Sequence, residues 1–314
     1  MTISSLKASL KKYMAAPPYV IVNEDLDALE KLQRRRIEEK LVDYKEGYPH
    51  LSDREKKALH DMREQGYHVC ENYLSDEEVA SLDSTIAEFR NSPSITREVG
   101  KEGGVIDWLH GNFPRGNQPV VDDKFRNSAF LQKVIESYTA QKMLSTPEVI
   151  YQELSVAGNK EDVDDIQTVL HADRFYSSVK VFYMVNDHTP ENGAFWFSPG
   201  SHVMDDFRVK YELDYARRVS KELTGKKAEL PEDLLKFGRS TINHELTEKF
   251  PPQQLTGKKN SLLIVDVCGF HKRGLILAGQ NRKTIRMIYH YMHAPVWSQQ
   301  LFKLLGKEPG RYLC

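Results

Sequence analysis

The sequence predicts a mainly β fold, a sandwich or jelly roll, with helices in front of it and one helical segment set into it. Two patterns carry that prediction. From about residue 148 onward, short β-branched and aromatic runs alternate with Gly, Pro and Asn turns; before residue 90, apolar residues recur at helical spacing behind capping signals. Met204 to Phe250 interrupts the strands with a charged, helix-like stretch containing Pro231. The strands on either side need each other to close a core, so this stretch reads as an insertion and not as a second domain.

The elements follow in order. Met1 to Val20 sets Leu6, Leu10, Tyr13 and Met14 beside Lys7, Lys11 and Lys12, a short amphipathic helix that reads as docked on the protein's own body, with a membrane surface or a partner as the alternative. Asn23 to Lys45 repeats Leu26, Leu29, Leu32, Ile37 and Leu41 at helical spacing, with Arg34 to Arg36 on a solvated face. Ser52, with Glu55 three residues on, forms a capping box and opens a helix that stops near Gly66. Tyr67 to Leu74 is aromatic and β-branched and suits a strand. Ser75 and Glu78 cap the next helix, whose buried stripe is Val79, Leu82, Ile86 and Phe89. Asn91 to Asn127 is rich in Gly, Pro, Asn and Asp, with Trp108, His110, Phe113 and Arg115 interleaved, and predicts one long functional loop.

Phe130 to Leu144 predicts a helix. Val149 to Val156 then alternates with period two, and Val179 to Val185, Gly193 to Ser198, Ser261 to Val267 and Thr284 to Met292 continue the strands. The resulting division is a helical extension over 1–65, a jelly-roll domain over 66–295 with its insertion at about 204–250, and a tail over 296–314.

Composition excludes several function classes. The 314 residues carry 44 Lys+Arg against 45 Asp+Glu, so bulk charge gives no reason to expect nucleic acid as a partner. Hydrophobic residues at 40% and charged residues at 28% exclude disordered and fibrous chains. Cys70, Cys268 and Cys314 are widely spaced and odd in number, which reads as reduced thiols in a cytoplasmic protein. No apolar stretch approaches the length of a transmembrane segment, and no secretory signal pattern is expected. The partner read from the sequence is a small-molecule substrate; oligomeric state is left open.

The residues that point to chemistry begin at His171-Ala-Asp173. On a strand, residues i and i+2 share a face, so this imidazole and carboxylate can reach one ion from one side. The pair alone is weak; three further residues strengthen it. His271, just past the apolar strand ending at Val267, can supply a third ligand, and two histidines with one carboxylate make the facial triad of non-haem iron. Arg282, 11 residues after His271, starts the next strand, and its planar fork suits a bidentate carboxylate. Thr284 lies two residues further on and adds a hydroxyl on the same face. Arg286, also on that face, is a rival to Arg282 for the same carboxylate.

These residues, the Asn192-Gly to Ser198-Pro-Gly-Ser-His202 segment and the opening Gly66 to Val79 together resemble the phytanoyl-CoA dioxygenase family of Fe(II)- and 2-oxoglutarate-dependent oxygenases, over roughly Gly66 to Pro295. The resemblance implies a double-stranded β-helix core. It implies Fe(II) at His171, Asp173 and His271, 2-oxoglutarate at Arg282 with help from Thr284, and O2 as the oxidant. It further implies oxidation of an aliphatic C–H with release of succinate and CO2, hydroxylation being the default outcome and desaturation, ring formation or epimerisation the alternatives. Asp173 fills the position that an iron halogenase leaves open for chloride. Tyr183 is a candidate for reaching 2-oxoglutarate, and Trp108, His110 and Arg174 are candidates for touching substrate. His188, His202, His244, His290 and His293 read as loop, turn or strand surface, and Asp266 as a backbone hydrogen-bonding residue. Two other readings fit the same residues: a cupin-like metal enzyme without 2-oxoglutarate, and a jelly roll that binds ligand without catalysis.

Overall fold

The computed structural model describes residues 50–100, 106–116, 118–139, 143, 145–156, 166–173, 178–208, 210–212 and 244–289. The helices expected in residues 6–14 and 23–45, the middle of the insertion, Arg174, His290, His293 and the C-terminal tail lie outside the described residues. Helix α1 spans Asp53–Glu64, strand β1 Tyr67–Cys70, α2 Asp76–Phe89, β2 Thr96–Gly100 and β3 Ile106–Asn112. A π-helical turn over Val121–Arg126 leads into α3, Ala129–Thr139, and β4, Glu148–Val156. Then come β5, Val179–Met184, β6, Phe195–Phe197, α4, His244–Lys249, β7, Gln253–Leu255, β8, Leu262–Asp266, β9, His271–Arg273, and β10, Asn281–Ile288.

Both capping boxes form as the sequence predicts. Ser52 accepts from Glu55 N while Glu55 Oε2 accepts from Ser52 N, and Ser75 and Glu78 do the same at α2.

The strands make two antiparallel sheets. The larger runs β1-β8-β5-β10-β4-β3-β2 and the smaller β7-β6-β9. This is the jelly-roll, double-stranded β-helix arrangement. Period-two alternation splits the strands β5 and β8 of the large sheet between two cores. One face, carrying Tyr151, Val181, Tyr183, Ile264, Ile285 and Met287, packs on α1, α2 and α3. The other, carrying Phe182, Met184, Leu263 and Val265, meets Phe195 and Phe197 of the small sheet. Strand β8 is buried throughout because apolar layers cover it on both sides, which is why Leu262 to Val265 is an unbroken apolar run.

The predicted loop over Asn91–Asn127 is not one loop. It contains β2 and β3, paired so that Thr96 faces His110 and Glu98 faces Trp108, and β3 continues onto β4. These strands close one end of the large sheet and are half solvated, so their charged and glycine residues hid the alternation. Gly111 is required there: a Cβ would come 2.5 Å from Ser94 O.

The described ends of the insertion are helical. Phe207, Tyr211, Leu246 and Phe250 form a small third cluster with Ala172 and Phe270, two residues that neighbour the predicted ligands.

Candidate active site

Strand β9 begins at His271, and His171 pairs with it across the sheet. Each residue's N–H donates to the other's carbonyl, at 2.9 and 2.8 Å, so the two side chains emerge side by side with ring centroids 4.5 Å apart. Each imidazole is aimed by its own chain. His171 Nδ1 donates to Val169 O at 2.7 Å and His271 Nδ1 to Gly269 O at 2.9 Å. Because a carbonyl only accepts, the proton sits on Nδ1 and both Nε2 lone pairs face the same space. His171 Nε2 is buried there without a hydrogen-bond partner.

The chain bends after His171, so Asp173 joins from a loop and not from a strand; its N–H donates to Val267 O at 3.0 Å. Asp173 Oδ1 lies 3.4 Å from His171 Nε2 and 3.6 Å from His271 Nε2, and its other oxygen accepts from Lys180. The three ligand atoms all fall within 4.8 Å of one another. Burial opposes ionisation of Asp173, but the Lys180 ammonium and the imidazoles outweigh it and hold the carboxyl well below its ordinary pKa. Burial, followed by the neighbouring His171, pushes His271 down. A carboxylate facing two imidazole Nε2 atoms is the donor set a divalent cation needs. An orphaned Nε2, two hydrogen-bonded Nδ1 atoms and one carboxylate on a single side fit Fe(II), with the opposite side left for exogenous ligands.

The surroundings fix this geometry. Asp266, fully buried, accepts from Ser178 N, Cys268 N and Tyr138 Oη, tying α3 and the start of β5 to the turn that presents Gly269 O to His271. Its role is the backbone one that the sequence predicts. Phe195 stacks on His271, with centroids 5.4 Å apart and ring planes at 19°. Phe195 and Phe197 face inward; Trp196 between them lies outward beneath Lys272.

Arg282, Thr284 and Arg286 share the inner face of β10, opposite to Ile285 and Met287. Arg282 Nη1 donates to Gly193 O at 2.8 Å. Gly193 takes φ +81°, and a Cβ there would meet Gly274 O at 2.7 Å, so only glycine brings this carbonyl to Arg282. His188, read from the sequence as surface, is instead buried against this group. Its Nε2 lies 3.2 Å from Lys283 O and 3.4 Å from Thr284 Oγ1, so the Nε2 proton is shared between those acceptors and the Thr284 hydroxyl keeps its own hydrogen to donate. Burial, reinforced by the Arg282 charge, pushes the His188 pKa down to about 3. The only hint was position, four residues past the end of β5, whose last residue Met184 pairs with Thr284. His202 is also buried, its Nε2 close to Arg63 O at 3.0 Å.

Trp108 and His110 lie on the same inner face, in cross-strand rows that run Trp108–Leu154–Arg282 and His110–Gln152–Thr284. Their rings sit 4.2 Å apart, and His110 Nε2 meets Glu98 Oε1 at 3.1 Å. Tyr183 is a correction. It falls on the outer face of β5 in the helix-side core, and its hydroxyl donates to Asn260 Oδ1 at 3.2 Å. Strand parity separates it from Phe182 and Lys180, which face inward.

With this geometry in view, the family model described as Phytanoyl-CoA dioxygenase (PhyH) matches residues 62–272. The chain belongs to this family. The match takes in His171, Asp173 and His271 and stops short of Arg282. This family member is a 2-oxoglutarate-dependent dioxygenase, with Fe(II) and 2-oxoglutarate as its cofactors. Among solved structures it is similar to the epimerase SnoN in complex with Fe3+, alpha ketoglutarate and nogalamycin RO, at 13% identity over 75% of this chain and 83% of that one, with a TM-score of 0.50. It is also similar to AviO1 from Streptomyces viridochromogenes Tue57, at 17% identity over 77% and 96% of the two chains and a TM-score of 0.49. A further neighbour is HygX from Streptomyces hygroscopicus with nickel and 2-oxoglutarate bound, at 14% identity over 77% and 88% and a TM-score of 0.46. At this identity the likeness to the SnoN complex shows the fold alone. No curated protein sequence matches the chain. Among the described residues, no helix is long and apolar enough to cross a membrane.

Proposed function

We propose that this dioxygenase hydroxylates an unactivated C–H bond of a small organic molecule or an acyl or sugar conjugate, releasing succinate and CO2. His171, Asp173 and His271 hold Fe(II), and Arg282 and Thr284 hold the distal carboxylate of 2-oxoglutarate. The observation that carries this reading is the convergence of two Nε2 lone pairs and Asp173 Oδ1 within 4.8 Å. Bound iron with 2-oxoglutarate and O2 supplies oxidative decarboxylation coupled to oxidation of the substrate.

The protein's own groups do the rest. The carbonyls of Val169 and Gly269 lock the imidazole tautomers, and Lys180 holds the second oxygen of Asp173 so that Oδ1 alone faces the histidines. Arg282 offers a fixed fork and Thr284 a hydroxyl hydrogen, which together suit a carboxylate. Asp173 occupies the position a halide would need, which favours hydroxylation over halogenation. Trp108 and His110, in line with Arg282 and Thr284, supply a flat wall for substrate, and Arg174, next to Asp173, is assigned to the same role. Cys70 and Cys268, not joined in a disulfide, support a reducing, cytoplasmic setting.

The experiment is an anaerobic titration of the metal-free protein with Fe(II) and 2-oxoglutarate, following the visible charge-transfer band of the chelate. The band is expected in the wild type and absent from His171→Ala and Arg282→Ala. Iron binding without a band in the wild type would sink the co-substrate assignment.

A further inference from the structure

We propose that Arg286 and Lys180 form an anion subsite beside the triad that holds a carboxylate or phosphate group of the substrate. The inference rests on the dioxygenase reading for its place in the reaction. Its physical basis is a pair of inward cations that the site as described does not use up.

Arg286 projects from the inner face of β10, between Phe182 of β5 and Ile150 of β4. Phe182 touches Phe195 at 5.6 Å between ring centroids, and Phe195 stacks on His271, so two aromatic rings link Arg286 to the triad, and the charge of Asp173 acts on it. Lys180 is two residues from Phe182 on the same face, which makes it the diagonal neighbour of Arg286; its ammonium reaches Asp173 with two N–H donors to spare.

Like charges on adjacent strands repel, and a half-buried guanidinium stays charged. Among the described residues, Arg286 Nε is buried without an acceptor, and no ion pair engages the guanidinium. The carboxylates whose charge acts on it are Asp173, already held by Lys180 and facing both histidines, and Glu148, exposed at the end of β4. Burial lowers the Arg286 pKa despite those two carboxylates, as expected of a cation with no close counter-ion.

The cofactors leave the imbalance in place. A divalent metal, Lys180, Arg282 and Arg286 carry five positive charges; Asp173 and 2-oxoglutarate carry three negative ones, so two positive charges remain. Arg282 and Arg286 are four residues apart, about 13 Å along the strand, which suits two separate anionic groups. An oxyanion on the substrate would satisfy the Arg286 fork, share Lys180, and fix the substrate carbon against the metal's open side.

The test uses full-length protein loaded with nickel(II), which does not turn over, and saturating 2-oxoglutarate. Inorganic phosphate and, in a parallel arm, acetate are titrated in by calorimetry at constant ionic strength. The wild type is expected to bind at least one, the tighter arm naming the substrate's anion. Arg286→Met should weaken that binding about tenfold or more, Arg286→Lys less, and both should keep nickel and 2-oxoglutarate affinity within about twofold. Anion binding unchanged in Arg286→Met would mean an anion on the metal or an adventitious ion only, and would overturn the proposal. So would a loss of 2-oxoglutarate affinity in Arg286→Met, which would make Arg286 the co-substrate clamp. If the wild type binds neither nickel nor 2-oxoglutarate, the dioxygenase reading fails. The phosphate titration of metal-free protein then decides the subsite, which stands if binding depends on Arg286 and falls if it does not.

Discussion

His188 shows how one buried side chain can serve the site while weakening the fold in acid. Its imidazole is neutral in the folded state, with a pKa of about 3 set by burial and by Arg282, whereas in the unfolded chain it titrates near 6.5. Below pH 6.5 the unfolded state therefore binds a proton that the folded state refuses, and stability falls as the pH drops towards 3. Between pH 7 and pH 5 the wild type should lose about 2 kcal/mol more than His188→Asn in urea denaturation; equal losses would show that His188 is not held neutral. Tyr183, on the strand that leads to His188, gives a converse expectation. Tyr183→Phe should leave 2-oxoglutarate affinity within about twofold of wild type, because the hydroxyl points to Asn260 in the other core. The triad could be read in the sequence because ligand chemistry restricts residue type. Tyr183 and His188 were misread because facing direction depends on strand parity and loop path, which composition does not encode.

Elements differ in the same way. The caps of α1 and α2 are local: Ser52 and Glu55 need only each other, so the motif in the sequence is the structure. Ser52→Ala should cost about 1 kcal/mol in thermal or chemical denaturation. Strands β2 and β3 are not local. β3 takes its hydrogen bonds from β4, whose own alternation was plain, and β2 takes its own from β3, so a chain rich in Gly, Asn and Asp becomes strand because a partner edge is waiting. The insertion is more consequential for the metal. Phe270, next to His271, is fully buried between Phe250 and Tyr211 and beneath the Arg208 guanidinium at 4.3 Å, and Arg208 is paired with Glu212. Phe270→Ala should destabilise by about 3–5 kcal/mol. It should also weaken nickel binding measured by calorimetry, since His271 loses the packing that holds its backbone.

At the scale of the whole molecule, metal binding and folding are one equilibrium. The triad draws on β9, on the bridge residue His171 and on the bend at Asp173, and these come together only when the small sheet has formed. A metal at about one hundred times its Kd should add about 2.7 kcal/mol of stability, read as a rise in Tm that a chelator reverses and that His171→Ala abolishes. The sequence by itself determined the jelly-roll class, the two capped helices, and a His–Asp–His set followed by an arginine. Those features depend on residue type and short spacing, which a chain carries whether folded or not. The tertiary structure decided which face of each strand looks inward, and therefore that Arg282, Thr284 and Arg286 line the interior while Tyr183 does not. It also decided that β2 and β3 exist, that His188 lies beneath Thr284, and that the insertion's ends brace both ligand segments. Each of these follows from pairing between residues far apart in the chain, and strand register, which fixes the face of every side chain at once, exists only after that pairing.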